Sequence, residues 1–194
     1  MAVVKGTKHG HNCTLKARKS KEQRRRLAIL DSAGWSLRPI GPGDEAWLLE
    51  HWSLPLVRRW LWDDRAPTPE EVREIVESSM RTWPEAGYGF WIIEAADGGV
   101  VIGTAGFRES SWEPGVCELV YSLDPAWWGK GIATEVARAA IAWAFATHEW
   151  PRIVGATDTA NVASARVLER IGMRTVREGV LENGLPTLFF EISR

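Results

Sequence analysis

Cysteine is scarce in this 194-residue sequence, which contains only Cys13 and Cys117. Two cysteines so far apart do not provide the disulfide framework that small secreted proteins use. The four histidines show no spacing typical of metal ligands, so we expect no metal site. These absences predict a reduced, metal-free protein.

Long hydrophobic runs are also missing, because no stretch of 18 consecutive apolar residues occurs. The basic N-terminus is followed only by the short apolar run Leu27–Leu30, which is too short for the core of a signal peptide. We therefore expect no membrane partner and a cytoplasmic location.

The net charge of −1 conceals a strong asymmetry. Residues 1–26 hold nine Lys or Arg and one acid, for a charge of +8, whereas the remaining residues hold 15 basic and 24 acidic side chains, for −9. We predict a largely flexible basic arm over residues 1–33 and one domain over residues 34–194. Contact of the arm with RNA or the ribosome is one interpretation, but a solvated tail or an upstream start codon is favoured.

A glycine-rich turn between a predicted strand and a predicted helix organises the domain. The strand covers Val116–Leu123 and ends at Pro125, which has no N–H to donate to a ladder. Gly129 and Gly131 allow the backbone to approach a ligand closely. Apolar residues then recur at helical spacing at Ile132, Val136, Ala139, Ala140, Trp143 and Ala144. A helix N-terminus after such a turn is suited to hold a phosphate or diphosphate.

The spacing of the glycines distinguishes between known phosphate-binding turns. The pattern Gly-x-x-x-x-Gly-Lys-Ser/Thr of a P-loop is absent. The dinucleotide pattern Gly-x-Gly-x-x-Gly/Ala is absent as well, because position 134 is Thr. The segment Trp-Trp-Gly-Lys-Gly-Ile-Ala-Thr-Glu, residues 127–135, closely resembles the acetyl-CoA motif of the GNAT N-acetyltransferases, and most of all the branch of the ribosomal-protein alanine N-acetyltransferases. Trp128 departs from the Gln or Arg that is usual in the family.

A second segment, Asp158–Met173, also resembles a GNAT signature. It contains an asparagine and a serine three residues apart, Asn161 and Ser164, at the start of a helix that ends in Gly-Met. Residues at this spacing share one helix face, so both side chains can point at one ligand. The alternative is that Asn161 is an ordinary N-cap and Ser164 an ordinary helical serine. The resemblance covers about residues 35–193.

The predicted order of elements is a strand, two or three helices, three strands, a helix, a strand, a helix and two strands. Asp44 and Thr68 are expected to cap helices, and Asn183-Gly184 is a strong type I′ hairpin signal between the last two strands. Ser20–Gln23 fits the capping box of a short helix that runs through Leu30. This order matches an α/β fold with a mixed sheet, the GNAT fold. Most of the twelve tryptophans should fill the core, although one or two could line an acceptor pocket.

The resemblance implies that acetyl-CoA is the co-substrate and that acetyl transfer to a primary amine is direct. It implies that backbone amides from about Gly129 to Thr134 hold the diphosphate and that the strand edge at Leu123 pairs with the pantetheine arm, which Asn161 also contacts. The cofactor-binding residues predicted in this way are Leu123, Trp128, Gly129, Lys130, Gly131, Ile132, Ala133, Thr134 and Asn161.

Two side chains are candidates for catalysis. Ser164 is the candidate for returning a proton to the departing CoA thiolate. Glu118 is the candidate base, because in the predicted strand it shares a face with Val120 and Ser122 shortly before the two central strands diverge. The alternative for Glu118 is a structural ion pair with an arginine such as Arg108. No activated nucleophile is evident, so no covalent intermediate is expected.

The sequence does not select the acceptor. A protein N-terminus, a polyamine, an aminoglycoside or a small amine metabolite all fit, in a monomer or a homodimer. The alternative function is a non-catalytic module that binds acetyl-CoA or associates with RNA.

Overall fold

The computed structural model describes residues 30–31, 34–96, 99–181 and 183–194. The helices in this part of the chain are α1 (Glu45–Ser53), α2 (Pro55–Leu61), α3 (Pro69–Ala86), α4 (Ile132–Thr147) and α5 (Val162–Arg170). The strands are β1 (Leu30–Asp31), β2 (Trp35–Pro39), β3 (Phe90–Ala95), β4 (Val101–Glu109), β5 (Cys117–Leu123), β6 (Arg152–Asp158), β7 (Arg174–Val180) and β8 (Pro186–Ser193).

The strands form one mixed sheet in the order β1-β2-β3-β4-β5-β6-β8-β7. Neighbouring strands are antiparallel except for β5 and β6, which are parallel. The α/β fold and the order of elements predicted from the sequence are confirmed. Two residues assigned to the arm, Leu30 and Asp31, form strand β1 on the outer edge of β2.

Alternating side chains on the strands divide the core into two layers. Leu119 and Tyr121 of β5 face α4 and α5, in an apolar cluster that includes Trp91 and Trp143. Val120 lies between them in the chain and faces the other way, into a cluster with Leu48 and other residues of α1–α3. This follows from the period of two along a strand, and it gives the sheet two buried faces.

The two layers meet at a gap in the middle of the sheet. Among the described residues, β5 and β6 pair at one position only, Glu118 opposite Val154. Beyond this position β5 continues to Leu123 and β6 continues to Asp158, but the two strands no longer pair with each other. The far edge of β5 stays fully paired with β4, so the gap lies on one side of β5 only.

Three local predictions differ from the structure. Asp44 does not cap α1 with its side chain; the carboxylate accepts hydrogen bonds from Arg38 and from the Gly41 amide, because the chain makes a 3-10 turn there first. The β7–β8 connection is longer than a two-residue type I′ turn, since β7 ends at Val180 and β8 begins at Pro186. Leu30 is in a strand rather than a helix, and Ser20–Gln23 lies outside the described residues. The Thr68 cap is confirmed, with Glu71 completing a capping box.

Several tryptophans fill the core, as predicted. Trp91 and Trp143 pack edge to face with 4.9 Å between their ring centroids, and Trp83 contacts both of them. Trp35, Trp52 and Trp150 are buried as well. Trp143 of α4 contacts Trp91 of β3 and Phe107 of β4, so aromatic rings pack α4 against these two strands.

Candidate active site

A cavity of about 440 Å³ lies where the gap opens. Tyr121 and Leu123 of β5 form one wall, and the first turns of α4 and α5 form two others. Trp60 of α2 reaches the cavity from the opposite layer. The cavity brings together eight of the nine residues predicted to bind the cofactor: Leu123, Trp128, Gly129, Gly131, Ile132, Ala133, Thr134 and Asn161.

The N-terminus of α4 faces this cavity. Gly131 is its N-cap, with a φ of 83° that an L-amino acid with a side chain rarely adopts. Gly129 has a φ of 76°, and both glycines line the cavity, so the backbone of the turn borders it. The amides of Ile132 and Ala133 belong to the first helical turn, where N–H groups have no acceptor within the helix. An anion held here also meets the positive end of the helix dipole.

The N-terminus of α5 lies beside that of α4. Asn161 caps it, because its Oδ1 accepts a hydrogen bond of 3.2 Å from the Ser164 amide. The ordinary capping role considered from the sequence is therefore present. Asn161 also lines the cavity, so the capping role does not remove it from the candidate site.

Arginines on α5 add positive charge to the same wall. Arg166 and Arg170 line the cavity one helical turn apart, and the sequence analysis did not single them out. Arg166 and Arg170 are four residues apart in the helix that follows Asn161, which places them on one helix face. This spacing could have identified them from the sequence. Lys130 does not line the cavity; its Nζ lies over the Trp127 ring, 4.3 Å from the centroid.

Trp128 occupies the edge of β5 in this structure. Its indole Nε1 donates a hydrogen bond of 2.8 Å to the Leu123 carbonyl, at the strand end that borders the gap. The same ring packs against both apolar clusters. The residue that departs from the usual motif therefore ties the glycine-rich turn to the strand that precedes it.

Comparison with known proteins agrees with this geometry. Residues 36–174 match the family model described as Acetyltransferase (GNAT) domain. The chain belongs to the GNAT acetyltransferase family. One GNAT relative is the uncharacterized N-acetyltransferase YoaA of Bacillus subtilis (strain 168), which is 28% identical over 163 residues, or 81% of this chain and 91% of YoaA.

Solved GNAT structures share the fold. The ribosomal-protein-S5-alanine acetyltransferase of Vibrio fischeri superposes with a TM-score of 0.71 at 18% identity, covering 85% of this chain and 96% of that one. The aminoglycoside acetyltransferase AAC(6')-Ib, solved in complex with coenzyme A, superposes with a TM-score of 0.68 at 23% identity, covering 82% and 95%. The resemblance to GNAT enzymes that include ribosomal-protein acetyltransferases is thus confirmed.

Ser164 lies behind the wall of the GNAT cavity rather than in it. Its side chain is 0% exposed, and its Oγ lies 3.2 Å from the Tyr121 hydroxyl. Tyr121 lines the cavity, and burial raises the pKa of its phenol, so this hydroxyl keeps its proton at neutral pH. The sequence analysis missed Tyr121, although it alternates with Leu123 on the predicted strand.

Glu118 is held in hydrogen bonds on the other face of β5. It is 0% exposed; Arg108 Nε donates to one carboxylate oxygen at 3.3 Å, and Trp112 Nε1 donates to the other at 3.1 Å. Burial raises the pKa of this carboxyl, and the charge of Arg108 opposes the rise. The ion pair considered as the alternative for Glu118 is therefore present, and Glu118 does not line the cavity.

None of the helices in the described part of the chain has the length and apolar character that crossing a bilayer requires. In the same part of the chain, no group of three or more His, Cys, Asp or Glu side chains is arranged to hold a metal ion.

Proposed function

We propose that this GNAT protein is an N-acetyltransferase that moves an acetyl group from acetyl-CoA directly to a primary amine, either a protein N-terminus or a small amine. The observation that carries the proposal is the meeting of two helix N-termini, those of α4 and α5, at one cavity beside the unpaired edge of β5. A cavity with these three walls suits a ligand that has an anionic middle and an extended polar arm.

Acetyl-CoA fits this donor set. Its diphosphate needs several N–H donors and positive charge, which the turn from Gly129 to Thr134 and the side chains of Arg166 and Arg170 provide. Its pantetheine arm is long, narrow and amide-rich, and the gap is bordered by the edges of β5 and β6 that do not pair with each other. Trp128 Nε1 already occupies the Leu123 carbonyl, so we expect the arm to pair at another group of this edge or to displace the indole. When bound, acetyl-CoA supplies an acetyl group activated as a thioester.

The catalytic contribution of the protein is then mainly alignment. Holding the amine and the thioester in a fixed geometry removes much of the entropic barrier of a bimolecular step. Cys117 is buried in β5 and faces the core cluster, which fits direct transfer without an enzyme-bound acetyl intermediate. We propose that Ser164 acts on the departing thiolate through Tyr121. The base role predicted for Glu118 is disfavoured, because Glu118 does not line the cavity and pairs with Arg108.

Binding and turnover of the full-length protein test this function separately. Calorimetric titration should show binding of acetyl-CoA, and much weaker binding of acetyl-pantetheine, which lacks the diphosphate and the adenosine. A thiol-release assay with a panel of peptides, polyamines and aminoglycosides should show CoA release only when an amine is present. Tight binding of acetyl-CoA without transfer to any amine would contradict the enzyme and favour a binding module. Failure to bind acetyl-CoA would contradict both.

A further inference from the structure

Trp60 is, among the described residues, the one lining residue of the cavity that comes from the layer of α1–α3. The other lining residues belong to β5, to residues 127–134, and to α5 with the two residues before it. The sheet separates the α1–α3 layer from α4 and α5, and α2 packs against β5. Trp60 therefore reaches the cavity beside the end of β5 that does not pair with β6.

The lining residues give the cavity a charged end and an apolar end. Positive charge lies at α5, where Arg166 and Arg170 line the cavity beside the two helix N-termini. The side at β5 is apolar and includes Leu123, Trp128 and Trp60. No Asp or Glu of the described residues lines the cavity. A ligand with one anionic end and one apolar end can therefore bind in one direction only.

This direction places the acyl group of the donor at Trp60. The step rests on the proposed acetyltransferase function, in which the diphosphate of the donor lies at the helix N-termini and its arm follows the unpaired edge of β5. The acyl group is attached to the far end of the arm, so it lies in the part of the cavity that is most distant from Arg166 and Arg170. Trp60 forms the wall of this part.

The contacts of the Trp60 ring restrict its movement. The guanidinium carbon of Arg59 lies over the ring, 4.7 Å from its centroid, at the distance of a cation–π contact. The ring is also half-buried and packs against the apolar cluster of α1–α3. Side chains in such packed clusters have little free space around them. The apolar end of the cavity therefore has a fixed depth.

An aromatic wall of fixed depth limits the length of the acyl chain. In an apolar site that leaves room for a longer chain, each additional buried CH₂ group strengthens binding by about fourfold. Where the chain already touches the wall, an additional CH₂ group causes overpacking, which weakens the interaction by about tenfold. The direction in which affinity changes with chain length thus shows whether such a wall is present.

We propose that Trp60 closes the acyl end of the cavity and thereby restricts the donor to acetyl-CoA. Propionyl and longer chains meet the indole before their thioester reaches the depth that the thioester of acetyl-CoA reaches. Trp60 is therefore a specificity-determining residue for the donor.

Calorimetric titration of the full-length wild-type protein tests whether the wall is present. The ligands are CoA, acetyl-CoA, propionyl-CoA and butyryl-CoA, and CoA reports on the charged end alone because it has no acyl group. We expect butyryl-CoA to bind at least about tenfold more weakly than acetyl-CoA. An affinity that rises with each CH₂ group would overturn the proposal. Failure to bind CoA would instead contradict the proposed function.

Two substitutions test the residue itself. Trp60→Leu and Trp60→Ala shorten the side chain, so in both variants butyryl-CoA should bind at least as tightly as acetyl-CoA, while the affinity for CoA equals that of the wild type. Turnover with an amine that the wild type acetylates should show the same reversal in kcat/KM for the donors. An unchanged preference for acetyl-CoA, or a change confined to the KM of the amine, would overturn the proposal. Loss of CoA binding in both variants would also overturn it, because Trp60 would then support the whole cavity.

Trp47→Leu is the matched control. Trp47 is a half-buried tryptophan of the same layer, but it does not line the cavity. Its ring stacks on His51 with 4.5 Å between the centroids, and His51 Nε2 lies 3.0 Å from Ser122 Oγ. Burial lowers the pKa of His51 to about 4, so this imidazole is uncharged at neutral pH. We expect Trp47→Leu to keep the wild-type order of the donors, and a reversal in this variant as well would overturn the assignment to Trp60.

Discussion

Tyr121 and Ser164, 43 residues apart in the chain, share a buried hydrogen bond of 3.2 Å. Ser164 has no exposed surface, whereas Tyr121 lines the cavity, so the tyrosine stands between the serine and any ligand there. A phenol whose pKa is raised by burial is a donor throughout the neutral range. The pair can therefore pass a hydrogen bond, or a proton, from Ser164 to the cavity only through Tyr121.

Removing either hydroxyl should slow the chemical step. We expect Ser164→Ala to lower the maximal rate about tenfold with acetyl-CoA affinity nearly intact, because a thiolate with a pKa of about 8.5 needs modest assistance in leaving. Tyr121→Phe should cost at least as much, and the double variant no more than Tyr121→Phe alone. Steady-state rates and calorimetric titration measure the two effects. A loss confined to affinity would mean that the Tyr121–Ser164 pair supports binding of acetyl-CoA and not the chemical step.

A side chain at Gly131 should weaken the cofactor site selectively. Gly131→Val places a β-branched side chain on a cavity-lining residue with a φ of 83°, at the N-cap of α4, so acetyl-CoA affinity should fall roughly tenfold or more, about 1.4 kcal/mol. Gly115→Val is a matched control, since Gly115 has a φ of 82° and equally open surroundings but lies away from the cavity. Equal affinity for both variants would contradict the assigned phosphate site.

His51 should make stability depend on pH between about 4 and 6.5. Its folded pKa of about 4 lies below the ordinary 6.5, so in this window the unfolded chain binds more protons and stability rises with pH. The contribution is complete above pH 6.5, and about 3 kcal/mol is lost as the pH falls to 4. Urea unfolding at pH 7 and pH 4.5 should show a smaller loss for His51→Gln than for the wild type. Parallel losses would mean that another group titrates.

Glu118 should be more important for folding than for proton removal. We expect Glu118→Gln to lower the free energy of unfolding by about 3 kcal/mol, because Arg108 loses its buried partner, and to change kcat/KM less than tenfold. Denaturant titration and a pH–rate profile measure both quantities. A fall in kcat/KM by 10² to 10⁴ with loss of the acidic limb would instead identify Glu118 as the base.

The basic arm should be dispensable for turnover. A truncated protein that begins at Ala33 loses β1, which pairs only with β2 at the edge of the sheet, four strands from β5. We therefore expect its kcat/KM for a small amine to equal that of the full chain. Loss of turnover with a native circular dichroism spectrum would show that residues 1–32 belong to the site.

Local sequence signals, together with the resemblance to the GNAT motifs, were sufficient to predict the fold and eight of the residues that line the cavity. The positive φ angles of Gly129 and Gly131 explain why glycine stands at both positions of the turn. Thr68 and Glu71 cap the helix whose first turn they flank. Such features depend on neighbours in the chain, so the residues alone reveal them. The Glu118–Arg108 ion pair could also be predicted from the sequence, because both residues lie in strands whose antiparallel register can be inferred.

Contacts between distant segments could not be predicted in the same way. Tyr121 and Ser164 meet only because α5 packs against one face of β5, and His51 meets Ser122 only because α1 packs against the other. Asp44 failed as a helix cap for a local reason, since Arg38 and the Gly41 amide, six and three residues earlier, hold its carboxylate at a 3-10 turn. Where a polar side chain has several partners of similar strength, tertiary packing decides among them.

Strands β5 and β6 pair at a single position, so few hydrogen bonds connect the two parts of the sheet on either side of it. Five strands lie on one side of this seam and three on the other, and in the described part of the chain no further strand pairing links them. Segments with few shared hydrogen bonds open at a lower free energy than the units they connect, so backbone amides along the seam should exchange with solvent faster in the free protein than in a ligand complex. A ligand that binds only the closed form raises stability by mass action, by about 2.7 kcal/mol at a hundred times its Kd. A ligand that fills this seam therefore contacts both parts of the sheet, and we expect the ligand-free protein to unfold at a lower temperature than the complex.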